Sequence, residues 1–325
     1  MIEVRYERGV HLPAEGLRLD PHGPREFAFV SHAHSDHAGR HRETILTDAT
    51  SKLMQARIGK PSGIEHALPF RERVAMRDFE IELLPAGHVL GSAQCLIASD
   101  AGTLLYTGDF KLRPGLSCEA AAAAQAETLV METTFGLPKY VFPPAEEVLQ
   151  AIADFCVATC GAGATAVLFV YSLGKAQEVL ASLAGTGLPV LLHKSAWEMT
   201  LIYRSFGVNF PPFEKYKESA APRGHIVICP PGTRGIPEQI PNRRTAAITG
   251  WALDPGTIYR MKVDAAFPLS DHAGYDDLLR YVELVNPKRV FTTHGFAREF
   301  ARDLRARGVE AWTLGGEDQI DLPLD

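Results

Sequence analysis

The run His32-Ala33-His34-Ser35-Asp36-His37 constrains this chain more than any other stretch, because it sets three imidazoles and one carboxylate within six residues. Polar groups so crowded desolvate and repel one another unless a cation gathers them. The apolar segment Phe27-Ala28-Phe29-Val30 comes immediately before. It predicts a buried strand, being too short for a helix and rich in β-formers. The cluster is therefore expected where a strand ends, on rigid backbone. Neutral imidazole and carboxylate, with no soft thiolate among them, suit zinc or manganese and leave both open.

Other candidate donors are also expected at strand ends. Glu80–Leu84 predicts a strand leading to Gly87-His88. Ala93–Ala98 and Thr103–Tyr106, joined by the turn residues Asp100-Ala101-Gly102, predict a hairpin that runs into Thr107-Gly108-Asp109. Thr128–Met131 predicts a strand that delivers Glu132, and Ala120–Ala124 predicts a short helix. The pattern changes after Pro143-Pro144. Helices over Ala145–Cys160, Gly174–Leu183 and Ala196–Phe206 alternate with strands at Val167–Val170 and Pro189–Leu192. Ile226–Ile228 and Ala246–Gly250 add further strands, and Pro211–Gly224 reads as connecting loop. Such alternation implies βαβ units and a parallel sheet. Beyond Val263 the chemistry returns with Ser270-Asp271-His272, a helix over Tyr275–Val285, a strand over Arg289–Thr292 and then His294.

Composition excludes several classes. The net charge of -6 shows no basic footprint, so an anionic substrate must be attracted locally. No run of 18 apolar residues predicts a membrane span, and Met1–Tyr6 lacks the apolar core of a signal peptide. The five cysteines, odd in number and without a Cys-x-x-Cys pair, suit a reducing cytoplasm. Cys156 and Cys160 show ordinary helix spacing. His11, His22, His41, His66, His193 and His225 lie outside the donor pattern and read as surface or core residues.

The order His-x-His-x-Asp-His, a lone His, Thr-Gly-Asp and a distant His after a strand resembles the metallo-β-lactamase fold. Within it the chain resembles the β-CASP nucleases, through Glu132-Thr133-Thr134-Phe135-Gly136, Ser270-Asp271-His272 and Thr293-His294-Gly295. Leu173-Gly174-Lys175-Ala176-Gln177-Glu178 is similar to a run in mRNA 3′-end processing nucleases. Leu19-Asp20-Pro21, Gly87-His88-Val89-Leu90-Gly91-Ser92-Ala93, Thr133–Pro138 and Leu269–Ala273 look most like the bacterial DNA ligase-associated exonucleases.

The resemblance implies an α/β metallo-β-lactamase αββα sandwich with an inserted β-CASP cap domain. The sandwich would comprise Met1–Val141 and Val263–Asp325, and the cap Phe142–Lys262. It implies two divalent metal ions, one on His32, His34 and His88, the other on Asp36, His37 and His294, with Asp109 between them. A hydroxide activated by both metals would attack phosphorus while His272 protonates the leaving oxygen and Glu132 orients His272. Asp20 would orient site residues, or simply make a turn before Pro21. Lys175 would contact a phosphate or cover a helix, and Ser270 would bind a phosphate oxygen or cap the helix near Tyr275. The activity implied is a cytoplasmic single-strand DNA exonuclease in end repair, associated with a DNA ligase and helicase. An RNA endo- or exonuclease of the 3′-end processing type is the alternative. A thioesterase-like hydrolase would not need the cap, and a redox di-iron relative would carry Glu where His34 stands. A catalytically dead scaffold would have lost ligand positions, and none is lost here.

Overall fold

The computed structural model describes residues 1–217, 223–233, 235–236 and 239–315. Two compact units emerge, one of residues 1–114, 119–141 and 272 onward, the other of residues 115–118 and 142–271.

The first unit begins with six strands that form one sheet in sequence order: β1 (Arg5–Tyr6), β2 (Val10–Leu12), β3 (Leu17–Leu19), β4 (Phe27–Phe29), β5 (Glu43–Leu46) and β6 (Ile64–Ala67). Helix α1 (Asp48–Ile58) connects β5 to β6, and the Thr47 side chain caps it by accepting from Thr50 N. β7 (Arg73–Met76), β8 (Phe79–Pro85), β9 (Ala93–Ser99), β10 (Gly102–Tyr106) and β11 (Thr128–Glu132) build most of a second sheet.

The second unit carries α2 (Ala145–Gly161), β12 (Thr165–Phe169), α3 (Lys175–Ser182), β13 (Val190–Leu192), α4 (Lys194–Ser205), β14 (Phe213–Lys215), β15 (Ile226–Cys229), β16 (Arg243–Ile248), α5 (Thr257–Met261) and β17 (Ala265–Phe267). Its strands pair in parallel in the order β14-β13-β15-β12-β16-β17. The chain then returns to the first unit with α6 (Tyr275–Val285), β18 (Arg289–Thr293), α7 (Ala297–Ala306) and β19 (Ala311–Thr313). β18 and β19 complete the second sheet in the order β19-β18-β11-β10-β9-β8-β7.

Alternation of side chains along a strand explains the layering of the first unit. Leu83, Leu104, Val130 and Phe291 face the first sheet and pack with Leu12, Leu19, Phe27, Phe29 and Ile45. Their neighbours Leu84, Leu105, Leu129 and Val290 face the opposite way, onto Leu278 and Tyr281 of α6 and Phe300 and Leu304 of α7. With α1 beside β6 on the other sheet, the result is an αββα sandwich. The second unit is a separate βα-built core of α2, α3 and the parallel strands.

Three expectations need correction. Ala120–Ala124 is not helical. Ala122 N donates to Pro85 O at 3.0 Å and Gln94 Nε2 donates to Ala122 O at 2.6 Å, so tertiary hydrogen bonds hold the run extended against its helix propensity. The stretch Pro211–Gly224 contains strand β14, an edge strand too short to show periodicity, while residues 218–222 lie outside those described. The second unit continues past Lys262 to Asp271, because β17 pairs with β16. Residues 316–325 of the expected closing segment also lie outside those described.

Candidate metal centre

The cluster sits where the ends of β4, β8, β10, β11 and β18 converge. β4 stops at Phe29, and its extension Val30 N still bonds to Ile45 O before the chain turns into His32. β8 ends at Pro85 and leads to His88, while β10 ends at Tyr106 and leads to Asp109. Gly108 has φ 54°, and a Cβ there would lie 2.5 Å from Ser31 Cβ. Only glycine lets the Asp109 loop approach the His32 loop so closely.

His32, His34, His88 and Asp109 offer ligand atoms that all lie within 4.8 Å of one another. His34 Nδ1 is 3.0 Å from both His32 Nε2 and His88 Nε2. Asp109 Oδ2 is 3.6 Å from His32 Nε2, 3.8 Å from His88 Nε2 and 3.4 Å from His37 Nε2. Donors on a tetrahedral zinc ion are roughly 3.3 Å apart, given bonds of about 2.0–2.1 Å. Three nitrogens and one carboxylate oxygen are thus gathered near the spacing such an ion requires, and Asp109 faces His37 as well.

The second expected set is looser. The Asp36 side chain is 71 % exposed, and its Oδ2 is 3.8 Å from His37 Nε2. The His37 and His294 rings are 5.6 Å apart between centroids, and His294 is exposed. His294 sits at φ 60°, and Gly295 behind it would place a Cβ 2.4 Å from Thr134 Cα. A non-glycine residue in that region is strained and held by its surroundings. The structure therefore brings Asp36, His37 and His294 to the same mouth without packing them as closely as the first four.

Burial and close neighbours set the charge of these groups. Burial, then the neighbouring His37 and His88, holds the His32 imidazole well below its usual range, leaving a neutral donor with a lone pair. Burial opposes ionisation of Asp109, but His37 and His272 outweigh it and keep the carboxyl well below the usual carboxylate range. Burial likewise opposes a charged His37, and the carboxylates of Asp109 and Asp20 reverse the balance and raise it.

Asp20 lies beneath the cluster, buried, at φ 44°. Its Oδ1 accepts from Ser31 N at 2.7 Å, and its Oδ2 accepts from Ser31 Oγ at 2.5 Å and Tyr106 OH at 2.9 Å. Oδ2 also lies 2.8 Å from His37 Nδ1, and Ser31 Oγ lies 2.9 Å from His32 Nδ1. Ser31 spends its one hydroxyl proton on Asp20, so its oxygen accepts from His32 Nδ1. One carboxylate thereby fixes the orientation of two histidine rings, turning the Nε2 of each toward Asp109. Ser31 and Tyr106 were not predicted. The signals were present: Ser31 directly precedes the His run, and Tyr106 directly precedes Thr-Gly-Asp.

Glu132, at the end of β11, is fully buried. Its Oε1 lies 2.8 Å from His272 Nδ1 and accepts from Phe110 N at 3.0 Å, and its Oε2 accepts from Thr134 N at 3.2 Å. The His272 ring lies 4.8 Å from that of His88, between centroids. The helix after His272 is capped at Gly274, not by Ser270. Lys175 does not stand free to meet a phosphate: it is buried at the start of α3, with Nζ 2.9 Å from Asp271 Oδ1. His193, outside the donor pattern, caps α4 by accepting from Ser195 N.

Residues 260–314 match the family model described as "Zn-dependent metallo-hydrolase RNA specificity domain". A relative from Opitutus terrae named "Probable DNA ligase" is 52% identical over 324 residues, which cover 98% of this chain and 32% of that protein. Human "DNA cross-link repair 1A protein" is 24% identical over 317 residues, 88% of this chain and 30% of that protein. "Probable RNase MJ4" of Methanocaldococcus jannaschii is 24% identical over 88% of this chain and 84% of its own length. The chain belongs to the metallo-β-lactamase β-CASP nuclease family. A solved structure from Enterococcus faecalis, a protein of unknown function, shares the fold with a TM-score of 0.61 over 90% of this chain and 79% of its own, at 13% identity. The chain spans about a third of the length of the ligase and cross-link repair relatives. The matched model is described as zinc-dependent, which agrees with the His/Asp donor set of the cluster. Among the described residues no helix is long and apolar enough to cross a membrane.

Proposed function

We propose that this β-CASP protein is a single-strand DNA exonuclease that processes DNA ends. The Glu132–His272 pair beside the His/Asp cluster carries the reading, because it supplies a proton donor separate from the metal donors. His32, His34 and His88 would hold one ion and Asp36, His37 and His294 the other, with Asp109 between the two donor sets. Divalent ions held there supply Lewis acidity, lowering the pKa of water and neutralising phosphate charge. Glu132 accepts from His272 Nδ1–H, which leaves Nε2 to deliver a proton to the departing sugar oxygen. The two backbone N–H groups on Glu132 keep the carboxylate from rotating away. Asp20 holds His32 through Ser31 and His37 directly, in orientations that present Nε2 to the site.

The DNA preference is supported by the 52% identity to a probable DNA ligase and the match to DNA cross-link repair proteins. The ligase relative also supports action beside a DNA ligase, a helicase partner follows only from the family resemblance, and the cysteine pattern supports a cytoplasmic setting. RNA is the second reading, favoured by the RNA specificity model over residues 260–314. Matched single-stranded DNA and RNA, labelled at either end, test both on metal-stripped protein given zinc or manganese. Stepwise shortening of DNA from one end is expected. Internal cuts confined to RNA would overturn the proposal in favour of the second reading.

A further inference from the structure

The parallel sheet of the second unit has a topological switch point of its own. Because every pairing in it is parallel, its strands all end at one edge. From β12 the chain runs through α3 toward β13, on one side of the sheet order. From β16 it runs through α5 to β17, on the other. β12 and β16 are neighbours, with Phe169 opposite Ala247. Their outgoing loops therefore diverge, and such a switch point at the carboxyl edge is where open parallel sheets bind ligands.

Each of the two diverging loops presents an aromatic ring. Tyr171, two residues past β12, is 57% exposed, and Trp251, three past β16, is 44% exposed. Both loops are braced. Ala176 N donates to Tyr171 O at 3.1 Å, and Gln177 Nε2 donates to Ser172 O at 3.1 Å and Thr200 Oγ1 at 2.9 Å. Ser172 Oγ is 2.7 Å from Ser195 Oγ, itself 2.7 Å from His193 Nδ1. Thr257 Oγ1 donates to Trp251 O at 2.9 Å. Lys175 Nζ, pinned by Asp271, lies 5.5 Å from the Tyr171 ring centroid and steadies that ring from one side. Residues Ser270 and Asp271 leave the same edge after β17 and continue along the chain into His272.

We propose that this switch point holds single-stranded substrate by stacking its bases on Tyr171 and Trp251. The inference rests on the nuclease reading above and adds where the strand is gripped. Every base has a π-face, so stacking suits an enzyme that must accept any sequence. A net charge of -6 gives the protein little general attraction for phosphates, which leaves stacking to supply the salt-insensitive share of affinity.

The test measures binding of a single-stranded oligonucleotide carrying 2-aminopurine, and its KM for cleavage, with the zinc-loaded full chain. Tyr171→Ala and Trp251→Ala are each expected to weaken binding about tenfold and to raise KM in step, with base fluorescence de-quenched. Tyr171→Phe and Trp251→Phe should stay within about twofold, since they keep a ring. Phe206→Ala, at the far end of α4, serves as the surface control and should bind like wild type. If the double alanine variant binds and cuts like wild type, the switch point is not the grip and the nuclease reading stands. If wild type neither binds nor cuts any oligonucleotide, the nuclease reading itself falls and takes this inference with it.

Discussion

On one side of the metal centre His32, His34, His88 and Asp109 pack within 4.8 Å of one another, while on the other Asp36 stands 71 % exposed and His294 caps a strained turn in the open. The chemistry of the donors is the same, imidazole and carboxylate. The support differs. Asp109 and His32 are buried, braced by Gly108 and by the Asp20–Ser31 relay. Asp36 and His294 stand on loop backbone with their side chains exposed. The buried side is therefore expected to hold its ion tightly and the open side to exchange, which suits a site that must admit and release phosphates.

The largest effect should come from removing the group that faces both sides. Asp109→Ala is expected to lower oligonucleotide cleavage on the order of 10³-fold and to leave less than one tightly bound ion per chain by elemental analysis. Full metal content with full activity would mean that the two sides do not share this carboxylate. Next in size is His272→Ala, with an expected loss of about 10²–10³ in cleavage rate and no change in metal content. The loss should shrink sharply on a p-nitrophenyl phosphodiester, whose leaving group needs no proton. An equal loss on both substrates would move His272 out of the acid role.

A chelator titration sharpens the contrast between the sides directly. Two steps are expected in wild type, the first from the open side. His294→Ala should abolish the weak step alone, whereas His88→Ala should abolish the tight one. One shared step in all three proteins would show that burial does not separate the affinities.

How much of this was legible in the sequence follows from where each signal is local. The His run, Gly87-His88, Thr107-Gly108-Asp109 and the strands that carry them are contiguous patterns, and the structure brings those donors together. Cap strands and helices were legible because βαβ alternation repeats. What escaped depends on contacts between distant segments. Ala120–Ala124 has helical composition, yet its backbone partners, Pro85 and Gln94, are fixed only by the fold. β14 and β17 are edge strands of three residues, below the length at which periodicity exists. Lys175 read either as a phosphate contact or as a residue covering its helix, because nothing local reveals that Asp271, 96 positions on, closes a buried ion pair with it.

Ser31 gives the smallest and most discriminating effect. Its hydroxyl donates to Asp20 and its oxygen accepts from His32 Nδ1, so it acts only through the orientation of one ligand on the buried side. Ser31→Ala leaves every proposed metal donor in place. The expected cost is about tenfold in affinity for the tightly held ion, at the low end for loss of a group that orients a ligand, with the weak step unmoved. Asp20→Asn should cost more, because it also releases His37 and so touches both sides. If Ser31→Ala instead weakens both steps equally, the tightness of the buried side comes from packing around Asp109 and not from a fixed histidine tautomer.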